Sequence, residues 1–234
     1  MKMTRNVLAS AIAVASLVGM SASAVAYEAG DWVLRVGSAT VDPSPDSDDM
    51  YADGALAIRG SDMINISSDT QMGISLTYMA TQHFGIELLA STPFSHDLSA
   101  QGSLADAGVT DIGSIDHLPP TLTLQWYPMG ANAHFQPYIG AGLNYTWIFN
   151  EELDSAFTDA LGSSDKDFSL SNSFGLAAVV GVDFLLGDRF LLNVSAMYAQ
   201  IDTQADINNT ALGDLTIDVD INPWVYRANL GYRF

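Results

Sequence analysis

The last eleven residues of this chain alternate in polarity. Trp224, Tyr226, Ala228, Leu230, Tyr232 and Phe234 fall on one face, and Val225, Arg227, Asn229, Gly231 and Arg233 on the other. A period of two is the repeat of a β-strand, whose successive side chains point to opposite faces. Seven further segments carry the same pattern, at 32–37, 72–78, 84–91, 117–126, 138–147, 174–184 and 192–198. In each, Leu, Ile, Val and aromatic residues alternate with Gly, Ser, Thr, Asn or a charge. A chain built this way is all-β, and the question is what covers its apolar face.

A soluble sandwich or lipocalin-like barrel alternates too. Three features favour a membrane barrel. Connections alternate in length, short at 81–83, 128–135 and 186–189 and long at 42–70, 95–114, 150–170 and 202–220. Short turns at one rim and long loops at the other are the outer-membrane arrangement. Trp32, Trp126, Tyr145, Trp147, Trp224 and Tyr232 cluster towards segment ends on the apolar face, as an interfacial girdle requires. The opposite face is Gly-rich and polar, a poor soluble core but a suitable lumen. Only 15% of residues are charged, against about 25% in ordinary globular domains, too few for a wholly water-facing surface. Eight strands, an even number, close without exposed edges. The expectation is an eight-stranded antiparallel transmembrane β-barrel with short periplasmic turns and long extracellular loops.

Residues 1–26 read as an address. Lys2 and Arg5 precede the uncharged, mostly apolar run 7–20, and Ala24-Val25-Ala26 supplies a small-x-small cleavage pattern. This is a secretory signal peptide, too short in its apolar run for a membrane anchor. The barrel then occupies 27–234, exported to the periplasm and inserted in the outer membrane of a Gram-negative bacterium. A net charge of −19 argues against nucleic-acid binding, and the absence of cysteine excludes disulfides and thiolate chemistry.

The charges have addresses. Of 27 acids, the four long connections hold 7, 3, 6 and 5, offset there by Arg59 and Lys166. This acidic rim is either plain solvation or a surface that meets outer-membrane lipid and lipopolysaccharide phosphates through bridging divalent cations. Asp46-Ser47-Asp48-Asp49 with Asp53-Gly54 superficially resembles a calcium loop but lacks its ligand spacing and terminal Glu. With the first strand running outward, Arg35, Glu87, Asp183, Arg227 and Arg233 all face the lumen in its periplasmic half. They form a polar plug there, or simply satisfy one another. Leu89, Ile148, Val179, Met197 and Val225 face inward above them. Phe94 and Leu98, with Phe157, Leu161 and Phe168, extend an apolar vestibule outward. A greasy solute above a charged plug has to leave sideways. Pro93, Pro119 and Pro120 lack N–H groups, which makes the wall between the third and fourth strands a lateral seam; the alternative is that these prolines mark strand ends.

No nucleophile motif, phosphate loop or metal-ligand cluster is present. His96-Asp97-Leu98-Ser99 with His117 is the one arrangement worth weighing as a Ser–His pair, and the expectation is no enzyme, no cofactor and no metal. Leu153, Phe157 and Leu161 have helical spacing, which predicts a short amphipathic helix over the mouth.

Several runs of residues resemble the OmpW family of outer-membrane proteins. They are Tyr78-Met79-Ala80-Thr81, Gly85-Ile86-Glu87-Leu88-Leu89-Ala90-Ser91-Thr92-Pro93-Phe94-Ser95-His96, His117-Leu118-Pro119-Pro120-Thr121, Gln136-Pro137-Tyr138-Ile139-Gly140-Ala141-Gly142-Leu143-Asn144-Tyr145 and Asn222-Pro223-Trp224-Val225 with Gly231-Tyr232-Arg233-Phe234. The resemblance implies an eight-stranded barrel whose hydrophobic channel is closed towards the periplasm. It further implies passive uptake of a small hydrophobic solute with lateral release into the membrane, and one branch of the family serves alkane uptake. Tyr232 and Phe234 resemble the terminal signal read by the barrel-assembly machinery; Phe234 also suits a lipid-facing girdle. The competing functions are a structural or surface-interaction barrel without transport and, further off, a lipid-modifying enzyme.

Overall fold

The computed structural model describes residues 27–48, 50–58, 64–106, 108, 110–129, 133–160, 168–210 and 213–234. The segment 1–26, expected to be a signal peptide, lies outside them. Eight strands make the barrel: β1 (Trp32–Asp42), β2 (Asp69–Met79), β3 (Phe84–Ser91), β4 (Thr121–Trp126), β5 (Phe135–Leu153), β6 (Ser173–Leu186), β7 (Phe190–Ala199) and β8 (Trp224–Arg233). Each pairs antiparallel with its neighbours in sequence, and β1 closes the ring on β8 from Val33 opposite Arg233 to Asp42 opposite Trp224.

Closure follows from the solvent. Hydrocarbon offers a backbone N–H no partner, so every rung must be met within the protein. The outward residues confirm which medium surrounds the wall. Leu176 is 63% exposed and Leu230 66%, exposures that water would penalise over so large a patch. Trp32, Phe84, Trp126, Phe135 and Phe190 ring the lower edge of this band, and Tyr145, Trp147, Trp224 and Tyr226 the upper. Among the described residues no helix is long and apolar enough to cross a membrane; the strands cross.

Two of the long connections carry strand pairing beyond the barrel wall. Phe94–Ala100 and Asp111–Leu118 form a hairpin that prolongs β3 and β4, and Asp202–Thr210 with Gly213–Asp220 prolongs β7 and β8. The physical reason is that alternation outlasts the membrane. Thr203, Ala205, Ile207, Leu215, Ile217 and Val219 keep pointing inward, while the Asp residues between them point to water. The acids thus mark a change of solvent, not an end of strand. Helix α1 (Gly102–Asp106) caps the first hairpin, and α2 (Ser155–Ala160) follows β5. The helix expected over 153–161 is therefore shorter: Leu153 ends β5, Phe157 is buried from α2, and Leu161 lies outside the described residues. The acidic stretch at 46–54 forms edge strands, Asp46 pairing with Asp220 and Ala52 with Leu215, rather than a calcium loop; Asp49 lies outside the described residues.

The ring curls tightly enough to need glycine at one inward position of β5. A Cβ on Gly142 would collide with the Leu122 carbonyl and come within 2.7 Å of Thr123 Cα. These are backbone atoms that cannot swing aside. Gly142→Val should destabilise the barrel by about 2–3 kcal/mol, read as a lower temperature for losing the compact form in detergent electrophoresis.

Candidate functional site

Alternation delivers polar side chains from six strands, four of them charged, to one level of the lumen. Arg35 on β1 donates through Nη1 to Glu87 Oε2 (3.0 Å) and to Thr77 Oγ1 (2.6 Å). Through Nε and Nη2 it donates to Asp183 Oδ1 (3.2 Å) and Oδ2 (2.6 Å). Arg227 on β8 donates from both terminal nitrogens to Glu87 Oε1, each at 3.1 Å, and from Nε to Ser195 Oγ at 2.9 Å. Asn193 donates to Asp183 Oδ1 at 2.7 Å. Tyr27 closes the network from below, its hydroxyl donating to Asp183 Oδ2 at 2.5 Å and its ring standing edge-on to Tyr127. Two arginines face two carboxylates, so the layer is neutral, and all four are at most 3% exposed. Arg233, expected with them, stands apart. It is part-exposed at the periplasmic rim, 3.6 Å from Asp31 and donating to the Asp188 carbonyl. Two residues per step along β8 carry its side chain below the closed lumen.

Above this floor Leu89, Phe94, Leu98, Ile148, Phe157, Val179, Met197 and Val225 are buried, Phe168 is partly buried, and Leu161 lies outside the described residues. Leu89, Phe94, Val179, Met197 and Val225 share one apolar cluster. Leu98 and Ile148 belong to a second, higher one with Ile115, Phe157, Ile207 and Ile217, formed inside the rim hairpins. A cavity there is lined entirely by hydrocarbon side chains, including Ile64, Ile66, Phe168 and Leu170. The two clusters differ in one respect the sequence does not display. Between floor and rim, the β6–β1 wall presents mainly Ala177, Val179, Met197, Ala199, Val225 and Val41, whereas the β3–β5 wall carries Thr121, Asn144, Thr146, His96 and His117 beside Leu89, Phe94 and Ile148. The lumen is two-sided because closure sets those strands opposite one another.

The expected seam has a definite form. On the β3–β4 side the last rung below it is Leu89 opposite Thr121, and the next above is Phe94 opposite His117. Residues 90–93 and 118–120 between them form no rung with each other. β3 stays tied to β2 there, Gly73 opposite Ser91 and Thr92 N donating to the Met72 carbonyl. Inward positions change from odd (Leu89) to even (Phe94), so Thr92-Pro93 act as an inserted residue, a bulge. Pro93, Pro119 and Pro120 supply no donor. Among the described residues Ser91 Oγ, beside this gap, is buried without a hydrogen-bond partner.

His96 and His117 meet at the gap's upper edge, which the sequence did not foretell. Their Nε2 atoms are 3.1 Å apart, and His96 Nδ1 lies 2.5 Å from the Ser67 carbonyl. Because a carbonyl only accepts, His96 carries its proton on Nδ1, and His117 must donate from Nε2. Treating 95–114 as a hairpin instead of a loop is the signal that joins them. Their strands lie above the lipid-facing band, since the outward neighbours Ser95 and Asp97 are polar. Burial pushes His117 down to about 3, with His96 adding to the fall. Burial also lowers His96, against the opposing pull of the Ser67 carbonyl, Asp69, Asp116 and Asp97. Both imidazoles are neutral at pH 7. The Ser99 hydroxyl accepts from Asn65 instead of meeting either histidine, so the weighed Ser–His pair is not assembled. Among the described residues no group of three or more His, Cys, Asp or Glu is placed to hold a metal. At the other end, Tyr232 accepts from Arg189 at 2.7 Å, and Phe234 N donates to the Trp32 carbonyl at 2.9 Å.

Removing one member of the ionic floor leaves opposite charges buried and unmatched. Glu87→Ala leaves Arg227 buried without a carboxylate and Arg35 with Asp183 alone, and should cost about 3–5 kcal/mol, measured by denaturant unfolding in detergent. Replacing the part-exposed Arg233 at the rim by Ala should cost far less.

A family profile described as the OmpW family matches residues 28–234. Outer membrane protein W of Vibrio cholerae is 43% identical over 215 residues, 92% of this chain and 93% of that protein. The crystal structure of OprG from Pseudomonas aeruginosa superposes with a TM-score of 0.80 at 43% identity, covering 89% of this chain and 98% of that one. A more distant relative, the dibenzothiophene metabolism operon protein PahQ of Pseudomonas aeruginosa, is 25% identical over 178 residues, 76% of this chain and 77% of that protein. With a closed eight-stranded barrel and a match from residue 28 to residue 234, this chain belongs to the OmpW family of outer-membrane β-barrel proteins.

Proposed function

We propose that this barrel is a passive channel for small hydrophobic molecules. A solute leaves water for the apolar cavity within the rim hairpins, moves to the vestibule around Leu89, Phe94, Val179, Met197 and Val225, and exits sideways through the Pro93/Pro119/Pro120 seam into the membrane. The observation that carries the reading is the pairing of two features at adjacent levels. An ion-paired floor of Arg35, Glu87, Asp183 and Arg227 fills the lumen below, and the rung ladder is interrupted in the wall just above. Desolvating an apolar solute against hydrocarbon side chains is favourable by about 25 cal/mol per Å², whereas forcing it through the floor would break buried ion pairs. The name of PahQ, which places that relative in the metabolism of an apolar aromatic, agrees with such a solute. No energy source is needed, because the solute moves down its own gradient.

The rim and the terminus complete the proposal. Asp220 stands opposite both Asp202 and Asp46 across its strands. Burial, then Asp202, Asp48, Asp46 and Asp218, raise its carboxyl above the usual range. Like charges directly opposed are unfavourable, and divalent cations shared with lipopolysaccharide phosphates would relieve them. Tyr232 and Phe234 are the residues we assign to recognition by the barrel-assembly machinery.

The test is entry of pyrene against a sulfonated pyrene into vesicles bearing lipopolysaccharide in the outer leaflet. Pyrene should enter selectively, at least tenfold faster with the barrel than without. Leu89→Asp should abolish this, whereas Arg227→Ala, which loosens only the floor, should retain it. Absence of barrel-dependent pyrene entry would overturn the channel and favour a structural or surface-interaction barrel.

A further inference from the structure

We propose that His96 and His117 form a proton-operated latch on the lateral seam: neutral, they tie its upper edge shut; protonated, they release it. The inference rests on the channel reading above for its consequence, though not for its chemistry. The two residues belong to the strands that flank the gap. His117 lies directly opposite Phe94, the first rung above the missing ones, and His96 is one inward position higher. Their contact therefore spans the two edges where the backbone ladder resumes. His96 also reaches a third segment, through the Ser67 carbonyl next to the start of β2. One imidazole pair thus fastens the prolonged ends of β2, β3 and β4 around the opening. Phe94 packs on both rings, with centroids 6.4 Å from His96 and 5.4 Å from His117, so the latch and the vestibule wall move together.

The chemistry of the pair makes it sensitive to protons. His96 Nδ1–H is committed to Ser67, so its Nε2 lone pair is the acceptor for His117 Nε2–H. A first extra proton enters at Nδ1 of His117 and leaves the Nε2–H···Nε2 bond in place. A second puts two N–H groups face to face at 3.1 Å and breaks the tie. The charged groups near the pair are Asp69 from β2, Asp97 beside His96 and Asp116 beside His117; Asn150 on β5 donates to Asp116 at 2.9 Å. These carboxylates favour protonation, but burial outweighs them. In the closed seam the imidazoles hold fewer protons than they would in water. Closure is hence fully favoured above the ordinary histidine value of 6.5 and is lost as pH falls from there towards about 3. For His117 alone, the open form gains about 30-fold over the closed at pH 5 relative to pH 7.5.

The experiment uses the full barrel in the vesicles described above, with pyrene, which has no titratable group. Entry at pH 5.0 should exceed entry at pH 7.5 by fivefold or more, reversibly. In the double variant His96→Gln/His117→Gln, whose amides can pair without titrating, the ratio should fall to near one. The chain has no cysteine, so a Ser95→Cys/Asp116→Cys pair, placed at directly opposed outward positions, gives a switchable lock. Oxidation should remove the acid response and reduction should restore it. A wild-type ratio near one, or an undiminished acid response in the double Gln variant, overturns the latch. Amide exchange at Phe94 and His117 provides the separate readout. If pyrene never enters but exchange there accelerates in acid in the wild type and not in the double Gln variant, the latch stands and the channel falls. If pyrene enters equally at both pH values with unchanged exchange, the channel stands and the latch falls.

Discussion

A backbone amide in hydrocarbon has nothing to bond to except another part of the protein. That constraint organises this molecule. It forces the antiparallel ladder to run from β1 round to β8 and close. It turns the apolar faces of the strands outward and leaves the interior to whatever the alternate residues happen to be. It also makes any interruption of the ladder conspicuous. Pro119-Pro120 and Thr92-Pro93 sit where the wall lacks rungs, and on the β5 side Tyr145 N donates to the Pro120 carbonyl and Asn144 Nδ2 to the Pro119 carbonyl. Proline is tolerable at such a place because it removes the donor along with the rung, leaving less to satisfy.

The interior answers a second constraint. Charges in a narrow lumen must be matched or solvated. Arg35, Glu87, Asp183 and Arg227 are matched, with hydroxyl and amide groups from Tyr27, Ser75, Thr77, Asn193 and Ser195 taking up most of the remaining capacity. A layer so fully bonded is a floor, not a pore. The apolar clusters above it, and the interrupted wall beside them, acquire their meaning from that floor. Ion pairs fill the lumen below, while residues 90–93 and 118–120 in the wall above form no rung with each other. The His96–His117 contact sits at the upper edge of that gap.

How much of this is legible in the chain depends on the range of the interaction. Alternation is local, so Leu230 and Arg227 announce their faces to anyone counting by twos, and the eight strands follow. Leu89, Val179 and Met197 are placed inward by the same count. The rim hairpins are harder, because Asp206, Asp214 and Asp218 look like loop residues although Ile207, Leu215 and Ile217 keep the strand period between them. Arg233 shares the parity of Arg227 but not its depth, and depth depends on where the barrel ends, not on parity.

The sequence by itself determined the class of fold, the face each side chain takes, the medium on either side of the wall and the sites where proline forbids a rung. These are consequences of a two-residue repeat and of side-chain chemistry acting within a few residues. Only the tertiary structure decided which charges share a partner, that one wall of the lumen is more polar than the other, and that His96 and His117 touch. Those facts depend on stagger between strands and on ring closure. Both set residues far apart in sequence at hydrogen-bond distance, and neither is encoded in any single strand.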